Sequence, residues 1–328
     1  MYLRRLSQTK LALGGEVTLA VVTDISDRDA SRLFISLWKQ VYMFERQFSR
    51  FLPKSELTIF NRTSGQKTPI TPEFKALLVS AQSIGAETGG LYNPFIMPAL
   101  QRTGYLKSAM LGYENDKQID YTDRRIVGVD RLIIGDGWAS IPYGTALDLG
   151  GCGKGYLADQ LADILKSYQV QGYWLSLGGD IASFGRDESG NSLTIGVQDA
   201  DNLAGTNNWI IDCPLENFAI ATSGTFKRKS QNSVKDWHHI IDPATSQPAV
   251  TDIRLITVCA DTAFKADVLA SCAVILGSKK AVSFLKKHGI KSALLQCADK
   301  DGVAFEKAFG VYIRKEHSYN RKGDLVNA

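Results

Sequence analysis

The residues with the clearest capacity for chemistry lie in Asp148-Leu149-Gly150-Gly151-Cys152-Gly153-Lys154-Gly155, where a carboxylate and an ammonium flank a glycine-rich turn. Glycines at this density let the backbone approach a ligand closely and enter φ > 0 without steric cost. An apolar strand end is expected before Asp148 and an amphipathic helix after Lys154. A helix start offers free N–H groups and a positive dipole end, which together favour phosphate. Asp148 can accept a hydrogen bond from a ligand, and Lys154 beside it can neutralise a phosphate oxygen. The segment matches neither common phosphate motif: Gly155 stands where a P-loop carries Ser or Thr, and Gly151, Gly153 and Gly155 alternate instead of following Gly-x-Gly-x-x-Gly. Nucleotide binding and a tight turn packing a helix on a sheet both suit this segment taken alone.

Three further clusters lie downstream. Gly178-Gly179-Asp180 puts an acid at a strand end after two glycines, as either a turn or a site would. The second cluster runs from Thr222-Ser223-Gly224 to Trp237-His238-His239-Ile240-Ile241-Asp242-Pro243 and holds two of the four histidines. Histidine is the natural general base near neutral pH. Strand alternation would turn His238 and His239 to opposite faces, so at most one of them easily enters a given cleft, and a hydrogen-bonded structural role suits either. In the third cluster Asp267 and Ser271 stand four apart in an otherwise apolar helical run, so their oxygens share a face. A carboxylate and a hydroxyl completed by a backbone carbonyl and phosphate oxygens suit Mg²⁺, a hard ion. A Ser bonded to its own helix backbone is the alternative.

Periodicity supplies the elements that would position these groups. A strand is expected over Leu11–Val22 and a long helix over Ser31–Phe51, with a short helix after the Ser55 cap. Another helix starts at Thr71-Pro72 and ends at Gly89-Gly90, and a short one covers Met97–Arg102. Residues 107–145 read as hairpin-rich, with apolar runs at Arg125–Val129, Arg131–Ile134 and Trp138–Ile141. A helix over about Lys154–Tyr168 precedes strands at Tyr173–Leu177, Leu193–Val197, Trp209–Ile211, Phe218–Thr222, His238–Ile241 and Arg254–Cys259. Helices at Ala263–Leu276 and Lys279–His288 and strands at Ser292–Gln296 and Ala304–Ile313 close an α+β chain.

At 328 residues the chain can bury the core of one large domain or two intimate ones. Its apolar content of 44% and charged content of 22% are those of an ordinary soluble globular protein. A formal charge of +4, with Lys and Arg scattered, speaks against nucleic-acid binding. No apolar run approaches the length of a membrane span, and Arg4 and Arg5 precede no signal-type apolar core, so a cytoplasmic protein is expected. The five cysteines are odd in number and lack zinc-type spacing, which suits small buried thiols in a reducing compartment. Cys152, within the glycine turn, is the one that an accessible loop would expose.

In order and spacing, these blocks resemble the ApbE family, the FAD:protein FMN transferases. The resemblance runs from Leu13-Gly14 to about Ile313. It rests on Phe48-Ser49-Arg50-Phe51 with Ser55-Glu56-Leu57 and Asn61; Gly89-Gly90-Leu91-Tyr92-Asn93-Pro94; the Asp148–Gly155 turn; Gly178-Gly179-Asp180; Thr222-Ser223-Gly224; His239-Ile240-Ile241-Asp242-Pro243; and Ala266-Asp267 through Ser271 to Leu276-Gly277. It implies a mixed α/β, T-fold-like architecture as one intimately packed unit over residues 1–314, followed by a polar tail over 315–328. It also implies a magnesium-dependent enzyme, with Mn²⁺ left open as the ion, that splits FAD. FMN would pass to a Thr or Ser hydroxyl of an acceptor protein, with AMP released.

On that resemblance Leu13, Phe51 and Leu91, Tyr92 and Asn93 line the flavin nucleotide site, and Asp148, Lys154 and Ile241 contact FAD. The metal lies between the Gly151 carbonyl and the side chains of Asp267 and Ser271. His239 is the general base, with Thr222, Ser223 and Asp180 shaping the reaction centre. The chain departs from the family's usual Met-Gly-Thr at Leu13-Gly14-Gly15, from Asp at Asn93, and from Thr at Ser271. The secretion or lipoprotein signal common in the family is not seen, in keeping with a cytoplasmic expectation. Hydrolysis of FAD to FMN and AMP, and FAD binding for storage, are the competing readings. Asp267, Ser271 and His239 favour an enzyme over a carrier, because storage needs no metal.

Overall fold

The computed structural model describes residues 3–105, 126–168, 170–202, 206–225 and 238–315. The first strand expectation divides into a hairpin, β1 (Arg4–Ala12) and β2 (Gly15–Thr23), because Leu13 and Gly14 both take positive φ and reverse the chain. The polar row of β1 fits the open edge of a sheet, whereas β2 buries Val17, Leu19 and Val21. Helix α1 (Asp27–Phe48) begins earlier than its apolar rhythm suggests, since the Ser26 side chain accepts from Asp29 N and caps it. Its Leu33, Leu37, Val41, Phe44 and Phe48 form one buried stripe, and extended backbone at Ser49 stops it three residues before Phe51 is reached.

Helix α2 (Glu56–Arg62) is capped by Ser55, and strand β3 (Thr68–Pro69) leads to α3 (Pro72–Glu87), capped by Thr71 with proline in its first turn. Helix α4 (Met97–Arg102) follows a 3₁₀ turn over Pro94–Ile96. Only β4 (Ile133–Ile134) and β5 (Trp138–Ser140) of the expected hairpin segment are strands among the described residues; Ile126–Gly128 carry no ladder, and Arg125 lies outside those residues. The apolar approach to Asp148 is not a strand either. There the Asn61 side chain stands in for a neighbouring strand, its Oδ1 accepting from Leu147 N and its Nδ2 donating to Leu147 O, both at 2.8 Å.

Helix α5 (Gly153–Ser167) feeds the hairpin β6 (Gly172–Leu177) and β7 (Asp180–Gly185). Strands β8 (Thr194–Gln198), β9 (Thr206–Asp212) and β10 (Phe218–Gly224) follow. The expected strand at His238–Ile241 shrinks to β11 (Ile241–Asp242), paired with β12 (Gln247–Pro248). The chain then runs through β13 (Ile253–Ala260), α6 (Ala263–Leu276), α7 (Ser278–Lys287) and β14 (Ser292–Ala298). The last expected strand splits at Gly310, whose positive φ separates β15 (Ala304–Phe309) from β16 (Ile313–Lys315). Lys315 therefore pairs with Trp209 instead of opening a tail, and 316–328 lie outside the described residues.

The frame is an eight-stranded antiparallel sheet in the order β1-β2-β6-β7-β10-β13-β14-β15. On one face α5 lies against β6 and β7, α6 lies against β10 and β13, and the two helices touch. Ala219 and Ala221 of β10 join the large core on this face. Phe218 and Ile220 alternate to the other face and pack with the small sheet β16-β9-β8. The mixed α+β fold expected from the residues is the fold observed, and its main sheet is antiparallel. Among the described residues no helix is long and apolar enough to cross a membrane.

Candidate active site

The glycine turn owes its composition to packing as well as to access. None of Gly150, Gly151, Gly153 or Gly155 has positive φ, so conformational freedom is not what selects them. A Cβ on Gly155 would lie 2.4 Å from the Ala263 carbonyl oxygen. Glycine there lets the start of α5 press directly on the start of α6. That contact brings Gly155 N–H to Asp267 Oδ2 at 3.3 Å, so the helix start meets a carboxylate carried by its neighbour. Gly151 faces the cleft with only the Tyr92 ring within reach of a Cβ. Cys152 is fully buried instead of exposed by the turn; the Tyr92 hydroxyl donates to its sulfur at 2.9 Å, and burial pushes the thiol up to about 12. All five cysteines are free and buried.

Charge is concentrated and paired. Arg50, Asp148, Asp180 and Asp267 are 7%, 6%, 4% and 5% exposed, so each needs a partner or a ligand. Asp148 faces Arg50, not Lys154: Arg50 Nε stands 2.7 Å from Asp148 Oδ2, and Gly150 N–H donates to Asp148 Oδ1 at 2.8 Å. Arg50 also donates to the Tyr105 carbonyl and lies 4.2 Å from the Phe51 ring centre and 4.5 Å from that of Tyr105. Lys154, on the first turn of α5, pairs with Asp180 and lies 3.8 Å from Asp267 Oδ2. Asp180 is delivered by a two-residue turn, Gly178 and Gly179 both at positive φ, between Leu177 and its register partner. The glycine pair is thus a hairpin turn and a site-building device together.

The helix and strand hydroxyls meet across the same space. Ser223 Oγ lies 2.9 Å from Ser271 Oγ, joining the end of β10 to α6 one turn beyond Asp267. Thr222 alternates to the other face, where its hydroxyl is 2.9 Å from Thr257 on β13, and it borders the cleft where the strand ends. The two histidines are separated by a bend, not by strand alternation. His238 accepts from Ile240 N at Nδ1, which leaves Nε2–H to donate to the Ala249 carbonyl at 3.0 Å, a structural role. His239 enters the cleft, its ring 6.3 Å from that of Tyr105.

Asn93 is engaged at both ends of its amide. Its Oδ1 accepts from Phe95 N and its Nδ2 donates to the Val127 carbonyl at 2.8 Å. A carboxylate would face that carbonyl with no hydrogen to give, so asparagine suits this loop. Every residue named for the site from the sequence borders a single cleft of about 250 Å³. Sequence reasoning passed over Arg50, Tyr105 and Glu45, which border it too. Arg50 was visible inside Phe48-Ser49-Arg50-Phe51, but only the fold shows that its partner is Asp148.

Gly151, Asp267 and Ser271 are the residues that could hold a metal. The carbonyl, carboxylate and hydroxyl they offer are all hard oxygen donors, and all three residues border the cleft, a set whose chemistry fits Mg²⁺. No cluster of three or more His, Cys, Asp or Glu with metal-binding geometry occurs among the described residues. A site here therefore depends on oxygens from outside that group, or from a ligand.

The ApbE family model matches residues 13–294. Among curated proteins, the FAD:protein FMN transferase of Haemophilus influenzae is 26% identical over 279 residues, covering 80% of this chain and 79% of that protein. The FAD:protein FMN transferase of Treponema pallidum is 25% identical over 321 residues, covering 90% and 86%. Among solved structures, the flavin transferase ApbE from Vibrio cholerae superposes with a TM-score of 0.78 at 24% identity, covering 94% of this chain and 97% of that one. An ApbE protein from Thermotoga maritima superposes with a TM-score of 0.79 at 21% identity, covering 93% and 97%. These likenesses extend to the whole architecture.

Proposed function

The chain belongs to the ApbE family, and from that premise we propose that it is an FAD:protein FMN transferase that moves FMN from FAD to a Thr or Ser hydroxyl of an acceptor protein, dependent on Mg²⁺ and releasing AMP. The observation that carries the reading is the convergence on one cleft of Lys154, Asp180, Asp267, Ser271 and His239, drawn from four separated stretches of chain. A diphosphate brings negative charge that Lys154 can meet, and an acceptor hydroxyl needs a base that His239 can provide. Mg²⁺ held by Gly151 O, Asp267 and Ser271 would supply charge neutralisation at the diphosphate.

In this reading the aromatic and aliphatic wall of Leu13, Phe51, Tyr92 and Ile241 binds the nucleotide and excludes water. Arg50 holds Asp148 in place, and Asp180 holds the Lys154 ammonium near the bond to be broken. His239 takes the proton from the acceptor hydroxyl as its oxygen bonds to the FMN phosphorus. The bond from that phosphorus to the AMP oxygen breaks, and AMP leaves as the phosphate. Positioning and electrostatics do most of the work in such transfers.

The test is to combine the protein with FAD, Mg²⁺ and a candidate acceptor and to weigh the acceptor intact. A mass increase equal to one phosphoester-linked FMN, with stoichiometric AMP, is expected. AMP and free FMN without adduct would replace the transferase by a hydrolase, and bound but unchanged FAD would replace it by a carrier.

A further inference from the structure

The turn between β1 and β2 is strained in a way that the hairpin alone does not call for. Ala12 pairs with Gly15, so Leu13 and Gly14 form the whole connection, with φ of 56° and 72°. A two-residue turn with both residues at positive φ favours Asn-Gly, and leucine enters its first position against steric cost. Strain kept at a site-lining residue is a reason to look for what holds it and what it serves. What holds it is Glu45. Leu13 N–H donates to Glu45 Oε1 at 2.8 Å across 32 residues of chain. Glu45 sits on the last turn of α1 between Phe44 and Phe48, and all three border the cleft.

The neighbouring hairpin braces the same turn. Gly178 N–H donates to the Glu16 carbonyl at 2.8 Å, and a Cβ on Gly15 would lie 3.6 Å from the Gly178 Cα. The Leu13 turn is therefore set beside the turn that delivers Asp180 to Lys154. An asparagine would relax the backbone and remove the apolar side chain from the cleft wall.

We propose that Glu45 is a positioning residue that latches the Leu13-Gly14 turn to α1, so that Leu13 stands as a fixed apolar wall against bound FAD. This rests on the reading of the cleft as the FAD site. Burial raises the Glu45 carboxyl above its usual range, and the Leu13 N–H works against that rise, as an acceptor committed to a backbone donor should. A latch requires an acceptor oxygen and not a charge, which separates it from a carboxylate that contacts ligand.

Four proteins decide the matter: wild type, Glu45→Ala, Glu45→Gln and Leu13→Asn. Each is measured for FAD affinity by flavin fluorescence, for melting temperature, and for KM and kcat. Leu13→Asn is expected to melt higher than wild type yet bind FAD roughly tenfold more weakly, the scale of one lost apolar contact in a pocket. Glu45→Ala is expected to raise KM for FAD with kcat at saturation held, and Glu45→Gln to restore both affinity and KM. Unchanged FAD affinity in Leu13→Asn and Glu45→Ala, beside normal binding by wild type, would overturn the latch alone. So would a Glu45→Gln protein as weak as Glu45→Ala. Failure of wild type to bind FAD would instead remove the functional reading, and the wall with it. Should Glu45→Ala not fold, Glu45→Gln still decides: it keeps the acceptor oxygen and drops the charge, so FAD affinity and KM as in wild type are expected, and weakened FAD binding would overturn the latch.

Discussion

At the scale of single residues, the site works by setting its buried carboxylates against cations and backbone donors. Asp148 is kept for Arg50 and Asp180 for Lys154, so neither cation is loose before a ligand arrives. Breaking the first pair from the Arg50 side leaves a buried carboxylate uncompensated. Arg50→Met should cost about 3–5 kcal/mol in urea unfolding, and the double change with Asp148→Asn should recover much of it. His239 carries a different expectation, because the proposed function makes it the base. His239→Ala should slow FMN transfer by roughly 10²–10⁴-fold while leaving FAD binding intact; a near-normal rate would assign the base elsewhere. Ser271 lacks the methyl that fixes the rotamer of a threonine, and the Ser223 hydroxyl at 2.9 Å supplies an orienting contact instead. If Ser271 holds Mg²⁺ as the proposed function has it, Ser223→Ala should weaken Mg²⁺ binding by about 10–100-fold in direct titration, the usual effect of removing a group that orients a metal ligand.

At the scale of elements, the decisive joint is the one between α5 and α6. Gly155 permits the close approach, and Asp159 secures it: its two carboxylate oxygens accept from Ala263 N at 2.8 Å and Phe264 N at 2.9 Å. The start of α6 is thereby capped from a neighbouring helix as well as by Thr262. Burial pushes the Asp159 carboxyl up to about 6, opposed by those two N–H groups, with smaller effects from Asp163 upward and Lys166 downward. The sign follows from proton counting. Between about pH 4 and 6 the folded chain holds this proton and the unfolded chain has lost it, so Asp159 makes stability fall as pH rises through that window. Asp159→Asn should abolish that part of the slope in melting curves taken from pH 4 to 7. It should also loosen α6, because an amide has one acceptor oxygen for two donors. An unchanged slope would show that another group titrates there.

At the scale of the molecule, the eight-stranded sheet is a platform whose helices, hairpin turns and strand ends together line the cleft. Ligand binding to such a composite wall should stabilise the whole fold. FAD at a hundred times its dissociation constant should add about 2.7 kcal/mol, read as a rise in melting temperature, and Mg²⁺ should enlarge the rise. No shift with FAD would contradict a nucleotide site in this cleft. Much of this was legible beforehand. The apolar stripe of α1, the caps at Ser55 and Thr71, and the ordered blocks from Leu13 to Gly277 specify the elements and the family, because periodicity, capping and motif spacing are local properties of the chain. What local pattern could not supply were the contacts made across distance. The hairpin at Leu13 was hidden because a leucine occupies a turn position where asparagine would announce it. The Asn61 side chain that replaces a strand beside Leu147 and the pairing of Arg50 with Asp148 each join residues remote in sequence. The bend that separates His238 from His239 is local, but an alternating apolar pattern does not announce it. Residue types and their order thus determine which groups this protein has for chemistry. Which of them face one another is decided only when α5, α6 and the hairpin turns close on the sheet, since a buried charge selects its partner by where packing leaves it.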